Sequence, residues 1–240
     1  MKQTALLLLA FTVLFSSCHY IRGKRINGNG VSSTQERSLG DFHSIKAMGG
    51  MDVTVSQAPS SSLKIEADGN LLEYIETRNY NGTIEIFTRD GFDLDPKSGI
   101  KVFAAAPSFH DLEISGSGKI KSTGKISSTS ELNAEVSGSG DILLEADAPR
   151  IRTKISGSGS STLKGTTKDF SARISGSGEV HCFDLLSENT EIDIAGSGDA
   201  EVYASKALDV DIAGAGDVRY KGNPSVKQHI AGSGGVRKVD

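Results

Sequence analysis

The chain has 240 residues, of which 28 are glycine and none is tryptophan, and its formal net charge at neutral pH is −4. No basic excess is present to neutralise phosphates, which excludes nucleic acid as the expected partner. Two cysteines are too few for a disulfide scaffold, and high glycine with only five prolines excludes collagen and predicts many tight turns between short strands.

The amino-terminal residues read as an address. Met1-Lys2-Gln3 gives a positive start, and Ala5 to Phe15 is apolar apart from Thr12. This run is shorter than the ~20 residues of a membrane-crossing helix and fits the core of a secretory signal. Phe15-Ser16-Ser17-Cys18 follows, and small residues directly before a cysteine resemble the lipobox of bacterial lipoproteins, with Phe15 where leucine is usual. The resemblance implies that residues 1–17 are removed and that Cys18 is acylated, each buried methylene adding about 0.8 kcal/mol of membrane attachment. Residues 18–37 carry Gly23, Gly28, Gly30 and the basic Arg22, Lys24 and Arg25, with no regular apolar period. They are expected to form a flexible tether.

Residues 38–110 alternate apolar and polar in several short runs: Met51 to Val55, Leu63 to Ile65, Thr83 to Phe87 and Ile100 to Phe103. Each reads as a strand. Asn70 with Glu73 three residues on predicts a capped helix start, and Asn81-Gly82 predicts a hairpin turn. This stretch has no period and is expected to be an irregular β-rich cap over the first coil of the region that follows, 111–240.

That region holds seven copies of one turn. Ile114, Val136, Ile155 and Ile174 each begin an apolar-Ser-Gly-Ser-Gly segment. Ile194 and Ile230 begin Ile-Ala-Gly-Ser-Gly, and Ile212 begins Ile-Ala-Gly-Ala-Gly. The leading residues are 22, 19, 19, 20, 18 and 18 positions apart. The paired glycines are Gly116 and Gly118, Gly138 and Gly140, Gly157 and Gly159, Gly176 and Gly178, Gly196 and Gly198, Gly214 and Gly216, and Gly232 and Gly234. On either side, apolar residues recur at every second position, as in Leu132/Ala134/Val136 and Phe170/Ala172/Ile174. The second residue after each turn is apolar except at Ser161. A unit of about 20 residues cannot bury its own apolar face, so the copies must stack. The expected fold is all-β: a right-handed parallel β-helix with an irregular β-rich amino-terminal cap. Stacked turns lie about 4.8 Å apart, which leaves no room for side chains at the corners.

The Gly-Ser-Gly turns, the segment Ala47-Met48-Gly49-Gly50-Met51-Asp52-Val53 and Asn70-Leu71-Leu72 together resemble the auto-transporter adhesin head GIN domain family of bacterial cell-envelope proteins, over about residues 40–236. The resemblance implies a β-helical fold and an adhesive role, and it supplies no catalytic residues.

The residues themselves give little chemistry. Gly-x-Ser-x-Gly, phosphate-loop, His-Glu-x-x-His and paired-cysteine motifs are absent. Ser61-x-x-Lys64 and Ser161-x-x-Lys164 lack the companion motifs of the enzymes that use this spacing. His181-Cys182 is no dyad, because neighbours in a strand face opposite ways and Cys182 shares the inward parity of Val180. One surface pattern is more specific: Asp193 and Asp199 flank one turn and Asp211 and Asp217 the next, an oxygen-rich set for weak calcium binding. No other cofactor is expected. The sequence reading is a non-enzymatic lipoprotein of the cell envelope, anchored in the outer membrane through Cys18, its exposed or periplasmic side left open. Its partners would be the membrane and a host or glycan surface, with self-association at the carboxyl end. The alternatives are an envelope assembly component and a polysaccharide-acting β-helix enzyme.

Overall fold

The structure, a computed structural model, describes residues 23–240; the signal segment 1–17 and the lipidation candidate Cys18 lie outside the described residues. Two parallel ladders meet at the glycine corners. Ladder A stacks Thr83–Thr88, Ser44–Met48, Asp111–Gly116, Glu131–Gly138, the second halves of Asp141–Gly157 and Ser160–Gly176, then Leu185–Gly196, Ala207–Gly214 and Ser225–Gly232. Ladder B stacks Ile100–Ala106, Met51–Gln57, Lys119–Ser127, the first halves of the same two long strands, then Glu179–Cys182, Asp199–Tyr203, Asp217–Lys221 and Gly235–Lys238. This is the parallel β-helix that the repeat predicts.

Like residues stack over like. The corner residues Ile86, Ala47, Ile114, Val136, Ile155, Ile174, Ile194 and Ile212 form one core column, all at most 2% exposed. Val102, Val53, Ile120 and Ile142 form the facing column of ladder B. Apolar burial of this kind contributes roughly 25 cal/mol per Å² removed from water, and here it runs from rung to rung, interrupted in these two columns only at Ser161, which lies over Ile142.

The two glycines of each corner have separate causes. The first lies at positive φ, +118° at Gly138, and an added Cβ there would sit 2.6 Å from the Gly116 carbonyl oxygen of the rung before. The second has no positive φ; at Gly140 a Cβ would meet Gly118 O at 2.7 Å and the Ile114 side chain at 3.2 Å. The corners are also hydrogen-bonded to one another. Ser139 N–H donates to Gly116 O at 2.9 Å and Asp141 N–H to Gly118 O at 3.0 Å, a pattern repeated at Ser158 and Ser160 and at Ser177 and Glu179. Each glycine is therefore demanded by the rung beneath it. Gly49-Gly50-Met51 is an eighth corner, in register with Gly116-Ser117-Gly118. Below Met51 lies the ordinary strand residue Ile100, not a corner, so this position carries a full side chain, turned inward and 1% exposed.

Three expectations are corrected. Of the expected tether 18–37, the described part from residue 23 onward is not free: Lys24–Asn27 pairs in parallel with Phe92–Asp95, and Ser32–Arg37 pairs antiparallel with Ser62–Asp68. These edge strands are held by backbone hydrogen bonds and by Asn70, so they need no apolar alternation. Second, the capped helix at Asn70 is a single 3-10 turn, Leu72–Tyr74, without a side-chain cap. The Asn70 side chain instead accepts from Asn29 N–H and donates to Asn27 O, both at 2.9 Å. Third, the boundary between 38–110 and 111–240 does not separate cap from coil, because 44–57 and 83–106 are themselves rungs. They stack out of chain order, with 44–57 lying between 83–106 and 111–127. The Asn81-Gly82 hairpin is present, both residues at positive φ, joining Ile75–Tyr80 to Thr83–Thr88.

Candidate interaction face

Outward positions of the ladders also stack, and in ladder A they form columns of charge. Lys46, Glu113, Glu135, Lys154, Arg173, Asp193, Asp211 and His229 each precede the corner's apolar residue and follow one another rung by rung. From Glu113 to Asp193 the charges run as two carboxylates, two cations and a carboxylate, so each of these five side chains has one oppositely charged neighbour. Lys46 meets Glu113 at 2.8 Å, Lys154 meets Glu135 at 2.6 Å and Arg173 meets Asp193 at 2.6 Å. Bonding to Asp193 raises the Arg173 pKa above its ordinary value. Exposed pairs like these are worth about 0–1 kcal/mol each, so their effect is on surface pattern more than on stability.

The adjoining outward column runs Asp111, Asn133, Arg152, Ser171, Glu191, Asp209 and Lys227. Ser171 is the short residue in it. Hollows of about 640 and 490 Å³ open there and share Arg152, Ser171 and Glu191, giving one groove along the face of ladder A. The lining includes guanidinium, carboxylate and amide groups, which are planar donors or acceptors, beside the Lys154 ammonium, the Ser171 and Thr190 hydroxyls and the Phe170 ring. Arg152 bonds Glu131 at 2.6 Å, whereas Glu191 forms no ion pair among the described residues. The repeat made this face findable: aligning the chain on its corners brings these charges into columns directly.

The four aspartates of the calcium expectation do not converge. Asp193 stacks on Asp211 in ladder A, and Arg173 occupies one Asp193 carboxylate oxygen. Asp199 and Asp217 stack in ladder B, where Asp217 N–H donates to Asp199 Oδ1 at 2.8 Å. Among the described residues no three His, Cys, Asp or Glu side chains are grouped to hold a metal ion. The corner separates the two columns, so the set is two pairs.

The remaining singled-out residues are structural. Cys182 is fully buried, and burial pushes its thiol pKa well up. His181 points outward, its Nδ1 3.1 Å from Glu201 and its Nε2 3.0 Å from Glu179. Ser161 is buried and receives a hydrogen bond from Thr153 Oγ1, while Lys164 reaches outward to Glu145 at 3.0 Å, so that spacing assembles no site. Ser61 and Lys64 line a common hollow of about 590 Å³, but no hydrogen bond joins them among the described residues: Ser61 Oγ accepts from Phe42 N–H at 3.4 Å, and Lys64 lies over the Phe103 ring, 4.6 Å from its centroid.

A stack of glycine-cornered rungs with a polar, columned flank defines a class: a parallel β-helix with charge columns along its exposed side. The chain belongs to the family described as "Putative auto-transporter adhesin, head GIN domain", whose model matches residues 41–224. Solved structures agree. A "putative lipid binding protein" from Parabacteroides distasonis ATCC 8503 is 28% identical, with a TM-score of 0.76, over 90% of this chain and 100% of that one. A "putative adhesin" from the same organism is 26% identical with a TM-score of 0.73, over 90% of this chain and 100% of that one. Another from Bacteroides fragilis NCTC 9343 is 18% identical with a TM-score of 0.83, over 89% and 100%, a likeness of fold alone. No curated protein matches the chain.

Proposed function

We propose that this protein is a non-enzymatic, adhesin-like lipoprotein of the cell envelope, held to the outer membrane by acylated Cys18 and binding a glycan surface through the groove of ladder A. Membership of an adhesin family supports the coarse role. The observation that carries the finer one is the groove around Ser171, where Arg152, Arg173, Asn189 and Glu191 present planar hydrogen-bonding groups on adjacent rungs. Binding along such a face sums many weak contacts and needs no deep pocket. Calcium has no part in this reading, since Arg173 already holds Asp193. The "lipid binding" of one relative's name applies to that protein; here the lipid is the anchor.

The groove is tested by binding the immobilised protein to an array of host and bacterial glycans. Wild type should bind a subset that Ser171→Trp, which fills the groove, and Arg152→Ala both lose. Equal binding by all three overturns the assignment. The anchor is tested by incorporation of labelled palmitate, which Cys18→Ala should abolish, and protease shaving of intact cells reports the side occupied.

A second reading, an envelope assembly component, is favoured by the last described rung of the stack, where Val226 is 39% exposed. It predicts co-purification with envelope proteins and no glycan binding.

A further inference from the structure

Inside the stack every strand of the coil has a neighbour on both sides. The last described rung, 225–238, has one only beneath it. Val226 is 39% exposed, whereas Leu208 directly below it is 1% exposed. Ser225 N–H donates downward to Lys206 O at 2.9 Å, so strand alternation turns the backbone groups of Val226, Gln228 and Ile230 to the open edge. In ladder B, Val239 N–H donates downward to Tyr220 O at 2.9 Å, which turns Val236 to the open edge in the same way.

We propose that a second copy of this chain covers this edge, end to end, about a two-fold axis passing through Gln228 and Val236. The hydrophobic pattern selects that register. Antiparallel pairing centred on Gln228 sets Val226 against the second copy's Ile230, apolar on apolar, and keeps Lys227 from meeting its own copy. Centring on Lys227 would juxtapose two ammonium groups, and centring on His229 would set Ile230 against an amide. In ladder B the same axis pairs Val236 with itself.

A single axis serves both ladders because the two residues face each other across the core. Gln228 precedes Ile230 by two positions, as Thr153 precedes Ile155; Val236 follows Gly234 by two, as Ser161 follows Gly159. Thr153 and Ser161 touch across the core at 2.9 Å. The proposal also accounts for Gln228 itself, an amide in an inward column whose members below it, Val210 and Ile192, are fully apolar. On the axis its donor meets its copy's acceptor. Such an isologous contact closes at two copies and leaves neither copy's last rung unpaired. It places the two amino-terminal caps at opposite ends of the doubled stack, so copies held in two membranes can meet by their ends. That last step rests on the lipid-anchor reading; the pairing does not.

The experiment uses the full chain carrying Cys18→Ser, whose remaining Cys182 is buried, with one further cysteine at a time. Across an antiparallel pair the Cα atoms lie about 4.5–5.5 Å apart, within disulfide range. Gln228→Cys and Val236→Cys should each give reduction-sensitive dimers with oxidised glutathione. Copies of Val226→Cys would lie roughly 13 Å apart and should not cross-link to one another, but should cross-link when mixed with Ile230→Cys. Light scattering of the parent should show its mass rising twofold with concentration, and Gln228→Lys, with an unchanged circular dichroism spectrum, should stay monomeric. A parent that is monomeric at every concentration overturns the proposal. So does cross-linking of Val226→Cys to itself as readily as Gln228→Cys, or cross-linking at only one of 228 and 236. Glycan binding that fails while these cross-links form would sink the groove assignment and leave the pairing standing.

Discussion

Thr153 Oγ1 donates to Ser161 Oγ at 2.9 Å across the core, joining ladder A to ladder B inside a column of otherwise apolar neighbours. Thr153 also lies 3.2 Å from Ala134 O, and both residues are at most 2% exposed. The serine that interrupts the apolar pattern is therefore satisfied by a threonine at the facing position. Removing one partner strands the other. Thr153→Val should destabilise the fold by about 1–3 kcal/mol, because the Ser161 hydroxyl stays buried with its partner gone. Thr153→Val with Ser161→Ala should recover most of that loss. Urea melts of the two single variants and the double close the cycle; a double variant as unstable as the sum of the singles would show that the pair is not coupled.

The corner glycines separate conformational cost from steric cost. At Gly138 both apply, at Gly140 only the clash with Gly118 O, and at Gly49 only positive φ, since a Cβ there meets nothing within 4 Å. Gly138→Ala should be the most damaging of the three. Gly140→Ala should cost about 1–3 kcal/mol through overpacking, and Gly49→Ala should be the mildest that still carries backbone strain. Melting temperatures ranked in any other order would mean that the stack relaxes around an added methyl.

The sequence shows this fold where the constraint is local and repeated. A corner that tolerates no side chain leaves its glycines visible in every copy, and the coil follows from their spacing. The eighth corner is hidden because Met51, with no corner beneath it, takes the place of the second glycine. Placement of 44–57 between 83–106 and 111–127 depends on pairing between distant strands, which no local pattern records. Strands such as Ser32–Arg37 lack alternation because they lie at an edge, exposed along most of their length. The groove is half visible: its charges follow from aligning the repeats, but the dip at Ser171 depends on which outward column it joins. The four aspartates mislead because flanking the same turn does not bring side chains together: Asp193 stacks on Asp211 in ladder A and Asp199 on Asp217 in ladder B.

Acid should unfold the protein through a small set of carboxylates. Burial pushes the Asp68 pKa up, but donors from Ser98 and from the backbone of Lys97, Ser98 and Gly30 outweigh this and leave it lowered. Asp147 is lowered by Lys125 and Thr166, and Asp169 by Asn189 and Arg150. A carboxyl whose pKa is lower in the folded state contributes stability above its unfolded value and loses it as pH falls through the folded value. Melting temperature should thus be insensitive to these groups from about pH 5 upward and should fall below about pH 4. Asp68→Asn should start lower and fall less steeply. A melting temperature that rises on acidification would overturn the assignment.

Cys182 provides an internal probe of the carboxyl-terminal rungs. It is fully buried beneath Val202, and its raised pKa keeps the thiolate nucleophile scarce. In the Cys18→Ser chain, native protein should therefore resist Ellman's reagent and release one equivalent of chromophore only on denaturation. Under native conditions the labelling rate then reports opening of the rungs around Glu179–Cys182 and Asp199–Tyr203. Covering the open end should suppress that opening, so the rate should fall as protein concentration rises. Cys182→Ser should cost about 1–3 kcal/mol by placing a hydroxyl among apolar neighbours, while Cys182→Ala should lose only packing. Fast labelling of the folded chain at every concentration would show that these rungs open readily and that nothing caps them.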